Sequence, residues 1–425
     1  MTFEELKTLL FARSNFGVKL GLERMEEACV LLGNPERSAP VLHVAGTNGK
    51  GSTCAFAEAS LRAAGLRTGL YTSPHLNHFC ERIRLGGEAI SEARACELLE
   101  EVRARVPWAL GDPGLTFFEI VTLMAFLAFR GSVDVMVIEV GLGGRLDATN
   151  VVRPLACAVA SLGLEHTQYL GPTLAHVAAE KAGIFKRGAR AVSAGQPREA
   201  AVVLQKKADA LGVLLWRPGR DYQFESRDVR PFCYQGPRWA VRAGDLALKG
   251  HHQRTNAALA SALLEAAAQV GLRVEPHHVE TGLRTARWPA RLEQFGNVLV
   301  DGAHNPHAVK AVVRALPALL AGRQAHAVFG ALQDKDAAAM LRALAPAVAS
   351  FHYCAPDSPR AVMPDVLASL QPGSAYPTVA AALGGGRRAA ARNGVVLCLG
   401  SLYLAAEVRA LLLGEVRATM PSERL

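Results

Sequence analysis

The chain has 425 residues, more than one hydrophobic core usually serves, so two domains are expected. Half of the residues are hydrophobic and only 20% are charged, which excludes general disorder and suits well-buried α/β domains. The net charge of +9 contains no Lys/Arg block of the kind that marks a nucleic-acid tail, so small polyanionic ligands are favoured over nucleic acid.

The eight cysteines are scattered, mostly in apolar runs, without C-x-x-C or zinc-like spacing, and read as reduced core residues. The N-terminus carries acidic residues where a signal peptide needs basic ones. The most apolar helix candidate, 117–129, contains Glu119 and is too short to span a bilayer. A cytoplasmic protein is expected.

Helical spacing covers residues 3–12 and 22–32, the second run ending at Gly33-Asn34-Pro35. Residues 41–45 then read as a buried strand, followed by Gly46-Thr47-Asn48-Gly49-Lys50-Gly51-Ser52 and a helix. Glycines at 46, 49 and 51 let successive N–H groups converge on one anion, Lys50 adds a point charge, and the helix points its positive end at the same place. The turn reads as a phosphate cradle, although Val44 stands where a strict P-loop has its first glycine and Gly51 follows the lysine.

Strand 66–72 opens into Ser73-Pro74-His75, and the strand–helix–strand order predicts a parallel sheet with ligands at the strands' carboxyl ends. Ser91 and Thr116 are placed to cap helices running to 105 and 129. The apolar run 134–140 carries Glu139 at its end, where a nucleotide-binding sheet places its Mg²⁺-side acid; a solvent-facing strand end is the plainer alternative. A glycine-rich polar loop spans 141–150, and strand 155–162 runs into Glu165-His166. Alone, His166 reads as structural, and Lys181, on the helix after it, as a surface charge.

Residues 222–249 read as a small antiparallel piece, 250–270 as an alanine-rich helix, and 285–291, with Trp288-Pro289, as a linker. Strands and helices then alternate from 297 to 413 in Rossmann-like fashion, but without G-x-G-x-x-G, so NAD is not expected. The expected fold is α/β: a P-loop-type, parallel-sheet ATP-binding domain over 1–286 and a smaller Rossmann-like domain over 287–425.

Taken in order, Leu20-Gly21-Leu22-Glu23-Arg24, the 46–52 turn, Thr72-Ser73-Pro74-His75-Leu76, Glu81-Arg82-Ile83-Arg84, Glu139–Asn150, Glu180-Lys181-Ala182-Gly183-Ile184, His252-Gln253 with Asn256, Asp301–Pro306, Asp334-Lys335-Asp336 and Gly400-Ser401-Leu402-Tyr403 resemble the folylpolyglutamate synthase and dihydrofolate synthase family of the Mur ligase superfamily. The resemblance implies ATP-driven amide formation between a carboxylate and the α-amino group of L-glutamate. By it, Thr47, Asn48, Gly49, Lys50, Gly51 and Ser52 hold ATP phosphates, with Asn256, Arg291, Asp301 and His304 completing the nucleotide site. Ser73, Glu139 and His166 hold Mg²⁺, and Lys181 matches the family lysine that is carbamylated.

Lys19, Leu20 and Gly21, then Leu115, Thr116, Phe117 and Phe118, and Leu146, Asp147 and Ala148 match the pterin-binding positions, and Arg82 lies in a further matching stretch. Arg145–Asn150 resembles the bifunctional bacterial type, which acts on dihydropteroate and then extends folates. Glu165 departs from the family, which usually has Asp there. Potassium dependence and a monomeric state are further family-level expectations. A folylpolyglutamate synthase alone, a Mur-type peptide ligase and a non-catalytic nucleotide-binding module are the alternatives; the second is disfavoured by the absence of an extra domain before the phosphate turn.

Overall fold

The computed structural model describes residues 1–13, 21–112, 114–227 and 231–415, so the expected ligands Lys19 and Leu20 lie outside the described residues. The first sheet is built from β1 (Val41–Ala45), β2 (Thr68–Tyr71), β3 (Ile83–Leu85), β4 (Glu88–Ala89), β5 (Val135–Glu139), β6 (Ala156–Val159), β7 (Arg190–Ser193) and β8 (Leu215–Trp216), in the order β4-β3-β2-β5-β1-β6-β7-β8. β1 is central and parallel to both neighbours, with Val44 opposite Glu139 on one side and Ala158 on the other. Every residue of β1 and β5 is buried, which is why both read as continuous apolar runs rather than alternating ones.

The sheet is not wholly parallel. β3 pairs antiparallel with β2, and β4 with β3. The β3–β4 reversal is made by Gly86 and Gly87, both at positive φ (59° and 91°), the backbone a two-residue hairpin demands.

Helices cover both faces. Lys50–Ala63 and His251–Ala268 bury Phe56, Leu61, Leu259 and Leu263 against one face, while Phe117–Phe129 buries Phe126 and Phe129 against the other. Ser91 and Thr116 cap their helices as expected, and Thr116 forms a full capping box with Glu119. A small antiparallel sheet, β9 (Gln223–Phe224), β10 (Phe232–Gln235) and β11 (Ala240–Ala243), hangs on this domain. Its anchor is the buried Glu265, which accepts hydrogen bonds from the Tyr234 hydroxyl (2.8 Å) and the Arg238 and Trp239 amides (2.6 and 3.1 Å).

After the helix Pro276–Thr285 the chain runs without helix or strand to the second sheet. That sheet comprises β12 (Glu293–Phe295), β13 (Val298–Val300), β14 (Ala325–Phe329), β15 (Ser350–Tyr353), β16 (Ser374–Ala375) and β17 (Val395–Leu399), ordered β12-β13-β17-β14-β15-β16, all parallel except the β12–β13 hairpin. Helices Pro306–Leu320, Ala337–Leu344 and Leu402–Leu413 follow their strands as the periodicity predicts. One helix was hidden in the sequence: Val379–Ala390 contains Gly384, Gly385 and Gly386. A β-carbon on Gly386 would sit 3.1 Å from Val328 and 3.2 Å from Val396, so close packing on the sheet overrides the low helix propensity of glycine.

Candidate active site

The carboxyl ends of both sheets face one cleft. From the first domain come the phosphate turn after β1, Ser73 after β2, Glu139 at the end of β5, and Glu165 and His166 beyond β6. From the second come Asp301, His304 and His307 after β13, Asp334 and Lys335 after β14, and Ser401 after β17.

Each glycine of the phosphate turn has its own reason. Gly46 (φ 152°) leaves only 2.7 Å between a would-be β-carbon and the β-carbon of Ala160; Gly49 (φ 90°) lies against the Asn256 side chain; at Gly51 a β-carbon would be 2.8 Å from Nε1 of Trp288. Thr47 locks the turn to the β6 loop, its hydroxyl donating to Gly163 O (3.0 Å) and accepting from Gly163 N (3.2 Å). Lys50 Nζ donates to Gly46 O (3.1 Å) and Thr47 O (3.4 Å), which folds its charge back over the amides of the turn.

Glu139 is 5% exposed and accepts the Ser73 amide at 3.3 Å. Burial raises its pKa, against the pull of Lys50. A carboxylate this buried fits a cation held beside it. His166 is pushed down to about 4, chiefly by burial, against Glu165 and with Lys335, Lys50 and Lys181 assisting; the imidazole is therefore neutral, the form that ligates metal. Among the described residues no three His, Cys, Asp or Glu side chains gather as a metal cage.

Arg291 is aimed by its neighbours. Ala290 (φ 55°) and Leu292 (φ 48°) both adopt left-handed backbone, strain of about 1–2 kcal/mol each that persists only where the surroundings fix it. They are fixed by Asp301, which accepts the amides of Leu292 (Oδ2) and Ala303 (Oδ1), both at 2.8 Å, and by Gly302 N donating to Ala290 O (2.9 Å). Asp301 thus builds the loop as well as lining the cleft.

Gln253 Nε2 and His252 Nδ1 are buried, without a hydrogen-bond partner, and belong to residues lining the same cleft. Such orphaned groups are what a bound polar ligand satisfies.

Of the expected site residues, Thr47–Ser52, Ser73, Arg82, Phe118, Glu139, His166, Asn256, Arg291, Asp301 and His304 line this cleft. Gly21, Leu115, Thr116, Phe117, Leu146, Asp147, Ala148 and Lys181 do not. Leu115, Thr116 and Phe117 are buried, leaving Phe118 to face the cleft beside Gly141. The Asp147 carboxylate is engaged inside its own loop, by the amides of Leu142 (2.7 Å) and Thr149 (3.0 Å).

Lys181 is not the surface charge its helix position suggests: it is 4% exposed, its Nζ donates to Gly143 O (3.5 Å), and burial, aided by Lys50, brings its pKa down to about 7. The sequence reading did not single out His307 or Arg360. His307 follows the Asn305 cap and could have been suspected from its place after a strand; Arg360 lies in a loop with no pattern to mark it.

The Mur ligase glutamate ligase domain family matches residues 290–402. The chain is 35% identical over 383 residues to the dihydrofolate synthase/folylpolyglutamate synthase of Bacillus subtilis, covering 84% of this chain and 86% of that one. It spans about half the length, 51% and 50%, of matched relatives from Halobacterium salinarum and Haloferax volcanii, both named as probable bifunctional folylpolyglutamate synthase/dihydropteroate synthases. The fold superposes on E. coli FolC in complex with DHPP and ADP with a TM-score of 0.90 and 33% identity, over 97% of this chain and 98% of that one. The Yersinia pestis bifunctional enzyme complexed with AMPPNP and Mn gives a TM-score of 0.87 and 33% identity over the same shares. With the Bacillus subtilis relative covered over 86% of its length and the E. coli structure over 98%, the chain belongs to the dihydrofolate synthase/folylpolyglutamate synthase family of Mur-type ligases.

Proposed function

We propose that this chain is an ATP-dependent ligase that joins L-glutamate to dihydropteroate and to reduced folates, releasing ADP and phosphate. The observation that carries it is the shared cleft: the phosphate turn and Glu139 on one sheet confront Asp301, His304, Lys335 and Ser401 on the other. A carboxylate is a poor acyl donor. Its oxygen attacks the γ-phosphorus of ATP, ADP departs, and the glutamate amine attacks the resulting acyl carbon, losing a proton as phosphate leaves.

Lys50 and the N–H groups of the turn bind the phosphates and stabilise charge spreading over the transferred group. Asn256, Arg291, Asp301 and His304 hold the nucleotide. Ser73, Glu139 and His166 would hold Mg²⁺, which supplies further neutralisation of phosphate charge. Lys181, with its lowered pKa, has a neutral amine available for carbamylation, which would turn it into an anion. Acceptor binding falls to Lys19, Leu20, Gly21, Arg82, Leu115–Phe118 and Leu146–Ala148, the positions that match the family's pterin-binding stretches. Closure of residues 287–425 on 1–286 keeps water from the acyl phosphate.

No helix among the described residues is long and apolar enough to cross a membrane. Seven of the eight cysteines are buried as free thiols and the eighth, Cys233, is free and exposed, which supports a reducing cytoplasmic setting. We take the working unit to be a monomer, because both halves of the cleft come from one chain.

The test is phosphate release from ATP, Mg²⁺ and L-glutamate with dihydropteroate, tetrahydrofolate or no pterin. Turnover with both acceptors bears the proposal out. Turnover with tetrahydrofolate alone reduces it to a folylpolyglutamate synthase, and none with either, from folded and nucleotide-binding protein, overturns it.

A further inference from the structure

Across the cleft, one carboxylate of the first domain meets three groups of the second. Glu165 Oε1 is 3.3 Å from Asn305 Nδ2, 3.5 Å from His304 Nε2 and 3.5 Å from Lys335 Nζ. The three partners come from two elements, the loop after β13 and the loop after β14. Asn305 also donates to Asn48 Oδ1 (3.2 Å) in the phosphate turn, and Asn48 Nδ2 lies 2.8 Å from His307 Nδ1. The Glu165 side chain is only 13% exposed.

We propose that Glu165 is a positioning residue that fastens the second domain over the phosphate turn, setting His304 and Lys335 at the distance the reaction needs. A buried carboxylate without its partners is costly, so the arrangement favours the closed form whenever water is expelled from the cleft. Arm length matters. Aspartate, one methylene shorter, would withdraw the oxygens by about 1.5 Å, carrying contacts of 3.3–3.5 Å beyond ion-pair range. The proposal rests on the ligase reading for its kinetic consequences but not for its geometry.

The test compares wild type with Glu165→Gln, Glu165→Asp and Lys335→Gln, and with the Glu165→Gln/Lys335→Gln double variant. Two readouts are taken: the fall in radius of gyration on adding AMPPNP and Mg²⁺, by small-angle scattering, and the KM for ATP and for L-glutamate. Both Glu165 variants are expected to lose most of the nucleotide-induced compaction and to raise both KM values about tenfold, with kcat changing less. The double variant is expected to be no worse than the weaker single, because both substitutions break one contact.

Unchanged compaction and KM values in folded Glu165→Asp and Glu165→Gln, or fully additive effects in the double variant, would overturn the proposal. Should the Glu165 variants not fold, compaction of Lys335→Gln and Asn305→Ala decides the matter: wild-type compaction in both overturns it. Scattering needs no turnover, so failure of the ligase reading would show separately, as absence of activity in the wild type.

Discussion

Trp288 of the interdomain segment stands over Gly51 at the start of the phosphate helix, so close that a β-carbon on Gly51 would lie 2.8 Å from the indole Nε1. Arg84 of β3 lies near the same indole, its guanidinium carbon 5.6 Å from the ring centre. The segment is thereby keyed to the glycine turn proposed to hold the ATP phosphates. Overpacking of this kind costs about 1–3 kcal/mol, and the indole must move to relieve it. Gly51→Ala is therefore expected to weaken AMPPNP binding about tenfold and to change Trp fluorescence, with a melting temperature close to wild type. Calorimetric titration checks it; wild-type affinity would show that the contact between Trp288 and Gly51 does not bear on nucleotide binding.

In the proposed reaction Lys50 and His166 serve phosphate and metal binding rather than folding. Lys50→Ala leaves the glycine turn and its Thr47 lock in place, and His166→Ala removes a ring that is partly exposed. Both variants should keep the circular dichroism of the wild type and lose about 10²–10³-fold or more in kcat, the scale seen when one group stabilising a transition state is deleted. A variant with near wild-type turnover would take that residue out of the mechanism.

Much of this arrangement could be read from the chain, because the strands of a parallel sheet are apolar throughout and a lone polar group at their carboxyl end stands out. Glu139, Asp301 and the 46–52 turn were visible for that reason. Other features depend on tertiary context. The Gly86-Gly87 turn between β3 and β4 is a local hairpin signal, whereas the glycine-containing helix Val379–Ala390 is held by the sheet beneath it. The aim of Arg291 comes from left-handed residues on both sides, which Asp301 enforces from a distant strand end. Burial of Lys181 follows from packing of the 143–144 turn on its helix: a β-carbon on Gly144 would lie 2.8 Å from Glu180 O and 3.0 Å from Lys181 Cα.

That burial has a chemical consequence. Only the neutral amine of lysine adds to carbon dioxide, and a pKa of about 7 makes roughly half of Lys181 neutral near pH 7, against about four parts in ten thousand for an exposed lysine. Rigorous removal of carbon dioxide should lower turnover reversibly, with bicarbonate restoring it, and Lys181→Ala should be inactive yet partly rescued by short carboxylic acids. Activity indifferent to both treatments would show that the free amine is what the site uses.

His43, in the middle of β1, gives the fold a pH dependence of its own. Its Nε2 lies 2.9 Å from the Thr149 hydroxyl, whose proton goes to Asp147; Nε2 must therefore carry the ring proton, and the histidine is neutral. Burial pushes its pKa down to about 3, with Lys186 adding to the effect. Because the folded value lies below that of the unfolded chain, about 6.5, the unfolded state binds the extra proton first as pH falls. The contribution to stability is intact above about pH 6.5 and is lost below it at about 1.4 kcal/mol per pH unit, down to the folded pKa. His43→Gln keeps a donor for Thr149 and cannot titrate. Between pH 7 and pH 5, denaturant unfolding should show the wild type losing about 2 kcal/mol more stability than His43→Gln, whatever the variant's stability at neutral pH. Parallel pH profiles would mean that His43 finds a proton acceptor in the folded state and that acid sensitivity arises elsewhere.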